Sequence, residues 1–159
     1  MEARFDYAKA APGVSRALAE VERYLYGCGL EEPLLNLVRL RASQINGCAY
    51  SMDVYWKEAR VEGEREQRLY GLNAWRESPY YSERERAALA WTEAVTLVAD
   101  GHVPDTVYEE ARPHFSFKEL SDLTLAIAVT NAWNRLSIAT RREAGEYLPA
   151  GVEEPRRAG

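Results

Sequence analysis

Apolar positions along this chain recur every three to four residues almost throughout, and no stretch alternates with the period of two that a half-buried strand requires. Val14, Leu18, Val21 and Leu25 form one helical stripe, which Gly27 and Gly29 then break. Pro33 suits the first turn of a second helix, which carries Leu34, Leu37, Val38, Leu40 and Ile45. Gly47 separates it from a third helix that starts at Cys48, continues one face through Met52 and Ala59, and ends near Gly63. A short helix with Leu69, Leu72 and Trp75 leads to a turn at Ser78 and Pro79. Ser82 with Glu85 forms a capping box, and Ala88, Trp91, Val95 and Val98 then make a stripe that runs to Gly101. A shorter helix spans Pro104 to about Arg112. Ser116 with Glu119 is a second capping box, with Phe115 and Leu120 placed as a hydrophobic staple. The long helix behind it is expected to turn Leu120, Leu123, Ile127 and Ile138 inward. The pattern predicts an all-α fold.

Length and charge narrow the class. The 159 residues suffice for a single domain with a sizeable core, expected over residues 1–148. The segment 149–159, with Pro149, Pro155, Arg156 and Arg157, reads as a flexible tail. A net charge of −5 argues against nucleic acid or an anionic membrane surface as partner. No apolar run approaches the roughly 18 residues of a membrane span. Glu2, Arg4 and Asp6 interrupt the N-terminus, so it does not read as a signal peptide. Two cysteines, Cys28 and Cys48, make no disulfide framework, and the expected compartment is cytoplasmic.

The chemistry concentrates between Gln44 and Tyr55, QINGCAYSMDVY. Ser51 and Tyr55 follow Cys48 at i+3 and i+7, so the three side chains share a helix face. With cysteine at position 51 and histidine at position 55, the segment would read Cys-x-x-Cys-x-x-x-His, two thiols within disulfide reach and a base to move their protons. Here the first thiol alone is present, at a helix N-terminus where the backbone dipole favours a thiolate.

These residues carry a resemblance. LVRLRASQINGCAY (37–50), NAWRESP (73–79), SERERAALAWTEAVT (82–96) and NAWNRL (131–136) are similar to the AhpD-like alkylhydroperoxidases, grouped with the carboxymuconolactone decarboxylases, and in particular to their peroxidase-related branch. The resemblance covers about Leu18 to Thr140 and implies an AhpD-like helical bundle. It also implies a homo-oligomer, trimer or hexamer, and a thiol reductant as electron donor for the peroxidases; the residues themselves suggest no cofactor and no metal. Those peroxidases use a glutamate twelve residues before the first cysteine, two cysteines and a histidine. By position these fall on Asn36, Cys48, Ser51 and Tyr55, of which Cys48 alone matches. The second cysteine attacks the peroxide, the first resolves the sulfenic acid as a disulfide, and the glutamate and histidine relay protons. Serine cannot cycle through a sulfenic acid, and tyrosine, titrating near pH 10, is a poor base at neutral pH.

The resemblance and the substitutions leave three readings. The preferred one is an AhpD-like protein without thiol peroxidase activity that keeps a pocket or assembly role. The alternative is an alkylhydroperoxidase working through Cys48 alone with an external thiol. A decarboxylase is the third, for which the site offers no obvious acid or base. Each residue also has a plain structural role: Cys48 as a small buried group, Ser51 and Tyr55 as a hydrogen-bonded pair filling the pocket, Cys28 as structural rather than a remote resolver. Asn131 and Asn134, on an otherwise apolar stripe, would fix helix register. Arg39 and Arg41 could orient acidic partners at a subunit contact. Tyr24, Tyr26, Tyr70, Trp75, Tyr80, Tyr81 and Trp91 supply the large side chains enriched where subunits meet. His102 and His114 show no metal-binding spacing and read as surface or capping residues.

Overall fold

The computed structural model describes residues 2–152. Among them are eight α-helices and no strand: α1 (Tyr7–Ala10), α2 (Pro12–Tyr26), α3 (Glu32–Asn46), α4 (Ala49–Val61), α5 (Glu66–Tyr70), α6 (Glu83–Thr96), α7 (Asp105–Ala111) and α8 (Phe117–Thr140). A 3₁₀ turn at Leu72–Ala74 follows α5. The all-α expectation holds. Of the expected tail, residues 153–159 lie outside the described residues; Pro149 is buried and its carbonyl accepts the N–H of Val152.

α3 is the axis of the molecule and packs against α4, α6 and α8. Its buried positions, Leu34 through Leu40 with Ala42 and Ser43, cover nearly every face, as expected of a helix surrounded by others. One core cluster lies where α2, α3, α6, α7 and α8 meet, around Leu35, Val38, Phe115, Leu123 and Ile127. A second, around Leu37, Leu40, Leu69, Leu72, Trp75 and Leu89, joins α3 to α4, α5 and α6.

Both capping boxes form as read. Ser82 and Ser116 accept the N–H of Glu85 and Glu119, and each glutamate returns a bond to its serine's N–H. Phe115 and Leu120 are buried in one cluster, so the staple forms as well. Three positions differ from expectation. α6 stops at Thr96, where the Asn131 amide binds the Thr96 hydroxyl, and Val98 beyond it is exposed. Val14 is exposed on the first turns of α2. Ile138 is also exposed, because the buried stripe of α8 runs on through Asn131, Asn134 and Ser137, one position off the apolar one. Among the aromatic residues, Trp75, Tyr81 and Trp91 are buried within this chain, whereas Tyr24, Tyr26 and Tyr70 are exposed.

Candidate functional site

The site is built on the elbow between α3 and α4. Gly47, at φ 66°, adopts the left-handed conformation that ends a helix, and Cys48 N–H returns to the Ser43 carbonyl at 3.0 Å. This closure reverses the chain within two residues and makes Cys48 the residue that opens α4.

Buried amides hold the elbow. The Asn46 side chain donates to the carbonyl oxygens of both Asn131 and Asn134, each at 2.8 Å. Asn134 in turn donates to the Ser43 hydroxyl at 3.1 Å, and Ser43 to the Arg39 carbonyl at 2.8 Å. The register role read for Asn131 and Asn134 is therefore met by named partners on α3, and every link is satisfied, as a buried polar network requires.

Cys48 is 1 % exposed, and its thiol donates to the Ser51 hydroxyl at 3.2 Å. The shared face of positions 48 and 51 is thus present. Ser51 does not pair with Tyr55 as expected; its partner is Cys48, while the Tyr55 phenol lies beside the Thr130 hydroxyl of α8. Burial pushes the phenol pKa further up, with the Glu22 carboxylate adding to it. Tyr55 is therefore neutral across the physiological range and serves as a hydrogen-bonding group rather than a base.

Asn36, at the family's glutamate position, is buried and donates to Glu62 at 2.9 Å. Burial and the carboxylates of Glu32 and Glu58 push the Glu62 pKa up. Arg39, one turn on, is 4 % exposed and forms ion pairs with Glu32 and Glu22, the latter at 3.0 Å. Burial disfavours its charge, and the two carboxylates outweigh that effect and raise its pKa. Arg41 pairs with Glu93 at 2.8 Å. The acidic partners expected of Arg39 and Arg41 thus come from their own chain.

Cys28 precedes α3 and Cys48 follows it, so this 15-residue helix, roughly 22 Å long at 1.5 Å per residue, separates the two sulfurs. A resolving role for Cys28 toward Cys48 of the same chain is not compatible with this arrangement. Among the described residues no His, Cys, Asp and Glu cluster could hold a metal ion. Nor is any helix long and apolar enough to cross a membrane.

Two cavities meet the elbow. One, of about 200 Å³, opens onto Ser51 between Tyr7, Tyr50, Tyr55, Trp133 and Arg142. The other, of about 490 Å³, is more open and borders Cys48, Ile138 and Arg141. Tyr50 and Arg142 line both, the guanidinium 4.0 Å from the Tyr50 ring centre. Reading the sequence missed Tyr7, Trp133 and Arg142. Trp133 lay inside the matched NAWNRL block; nothing local marked the other two.

The model of the carboxymuconolactone decarboxylase family matches residues 12–94, just over half of the chain. The chain belongs to that family. An uncharacterized protein, YdfG, of Bacillus subtilis is 39 % identical over 139 residues, 87 % of this chain and 95 % of its own length. A protein of unknown function from Agrobacterium tumefaciens, described as a candidate AhpD antioxidant defence protein, superposes with a TM-score of 0.88. It is 42 % identical, over 91 % of this chain and 99 % of that one. The AhpD core of a peroxidase-related protein from Ralstonia eutropha shares the fold at a TM-score of 0.76 and 18 % identity, over 87 % of this chain and 74 % of that one. The AhpD-like resemblance and the helical fold it implied are thereby established for this carboxymuconolactone decarboxylase family member.

Proposed function

We propose that this AhpD-like protein has left thiol peroxidase chemistry and keeps the Ser51 cavity as a small-molecule binding site. The observation that carries this reading is the 3.2 Å contact from Cys48 Sγ to Ser51 Oγ. A hydroxyl occupies the place from which a second thiol would attack a peroxide, and it can neither form a sulfenic acid nor close a disulfide. Tyr55, neutral and raised, supplies no base, and Asn36 supplies no carboxylate.

A single-cysteine peroxidase is the second reading, supported by the open cavity that borders Cys48. In that cycle the Cys48 thiolate attacks the peroxide oxygen, the O–O bond breaks to give an alcohol, and the sulfenic acid is reduced by two equivalents of external thiol. The test is hydroperoxide consumption with a dithiol reductant, together with mass analysis of Cys48. No turnover and an unmodified Cys48 are expected. Turnover that disappears in Cys48→Ala would establish the second reading instead. As a member of the family this protein is expected to assemble as a homo-oligomer, which sedimentation would check.

A further inference from the structure

Among the described residues, Arg142 is the one charged side chain lining the Ser51 cavity; its direct contacts are with tyrosines, and the Asp6 carboxylate faces it across the adjoining outer cavity without an ion pair. Its Nη1 donates to the Tyr7 hydroxyl at 2.7 Å, and its guanidinium lies 4.0 Å over the Tyr50 ring. Held this way it keeps donors free for an anion, since a guanidinium carries five N–H groups.

The backbone supports the placement independently. Arg141 ends α8 at φ 58°, ψ 47°, left-handed geometry that a non-glycine residue adopts at a cost. The Arg142 N–H then returns to the Ser137 carbonyl at 2.9 Å. That turn folds the chain back and brings Arg142 beside Tyr7 and Tyr50.

The rest of the cavity sets the ligand class. Half of its lining residues are aromatic: Tyr7, Tyr50, Tyr55 and Trp133. Its volume is about 200 Å³. A cavity of about 150 Å³ accepts benzene, so this one has room for a single ring with one small substituent. Asp6, Glu143 and Glu146 border the adjoining outer cavity; they repel any anion, a dianion about twice as strongly as a monoanion, so a ligand with a single carboxylate seated on Arg142 is favoured over a more highly charged one.

We propose that the Ser51 cavity binds a one-ring aromatic monocarboxylate, its ring against the aromatic walls and its carboxylate on Arg142. The proposal rests on the binding-site reading of that cavity given above. Calorimetric titration with benzoate, benzyl alcohol, benzylamine and inorganic phosphate tests it. Benzoate should bind most tightly of the four. Arg142→Gln should weaken benzoate by roughly 10- to 100-fold, the worth of a charge-assisted hydrogen-bond pair, and leave benzyl alcohol unchanged. Val54→Trp, filling the cavity from a partly exposed position, should abolish binding of every ring ligand. Absence of benzoate binding, equal binding by Arg142→Gln, or benzylamine or phosphate binding as tightly as benzoate would each overturn the assignment. Peroxide turnover, measured on the same preparation, reports on the other proposal. Turnover counts against redox inactivity whatever benzoate does, and failure of benzoate to bind without turnover counts against the ligand class alone.

Discussion

Cys48 and Ser51 face each other across one turn of helix, sulfur to oxygen at 3.2 Å, with Cys48 at the N-cap of α4. A second sulfur at position 51 would start from the same backbone, and because Cys48 is the N-cap, with extended rather than helical φ and ψ, its side chain has room to close the Cβ separation of about 3.5–4.5 Å that a disulfide needs.

Ser51→Cys with Tyr55→His is therefore expected to form a disulfide with Cys48 under mild oxidation, the oxidant taking two electrons, read as a loss of two hydrogen atoms in the intact mass. A free-thiol count that stays unchanged under oxidant would show that the elbow does not hold the geometry seen here. Peroxide turnover need not return with the disulfide, because position 36 still lacks a carboxylate.

The contact between residues 48 and 51 was readable from the sequence because it is local: three residues of helix place both side chains on one face. The capping boxes at Ser82 and Ser116 were readable for the same reason. Ile138 was assigned inward because it continues an apolar spacing, yet the buried stripe there is polar and satisfied by Ser43 and Asn46 on another helix. Arg142 and Tyr7 lie 135 residues apart and meet only because Arg141 takes a conformation its residue type does not announce. Helix type follows from local chemistry; the cavity depends on tertiary turns.

Asn36 and Glu62 explain why restoring the family's glutamate should be costly. The Asn36 amide donates to Glu62 at 2.9 Å, and Asn36→Glu replaces that donor with a second carboxylate in a buried position. At neutral pH the variant should be less stable by about 1–3 kcal/mol, the usual cost of an unmet buried polar group. Folding then raises the carboxyl pKa values above the unfolded value near 4.3, so the native state holds protons longer. The penalty is full above the raised pKa and disappears as the pH falls below the unfolded one. Urea midpoints at pH 7 and pH 4 check this; an equal deficit at both would rule out the charge argument.

Asn134 ties α8 to the elbow through Asn46 and Ser43 and is fully buried. Asn134→Ala removes an acceptor and a donor together, and the loss should be about 1–3 kcal/mol in denaturant unfolding. Because the elbow sets the burial of Cys48, local opening should also become easier, and a thiol reagent should label Cys48 faster in the variant. Unchanged stability together with unchanged labelling would mean that apolar packing alone fixes the register.

Glu119 gives the chain an acid-sensitive helix start. Its carboxylate accepts the Ser116 N–H at 2.8 Å and a bond from Arg84 at 2.9 Å, and these partners lower its pKa from 4.5 to about 2. The native state therefore releases its proton at lower pH than the unfolded chain does. The stabilisation is present in full above pH 4.5, shrinks below it, and is lost as the pH falls through about 2. Glu119→Gln should be less stable than the parent protein near pH 7 by about 1 kcal/mol, the scale of a helix cap. Glu85 is also held below its ordinary range by Arg68, so both proteins weaken in acid and only their difference isolates Glu119. That difference, followed by thermal unfolding from pH 7 to pH 2, should close toward zero at the acid end. A constant gap across the range would assign the difference to the shape and hydrogen bonding of the side chain at 119 rather than to its charge.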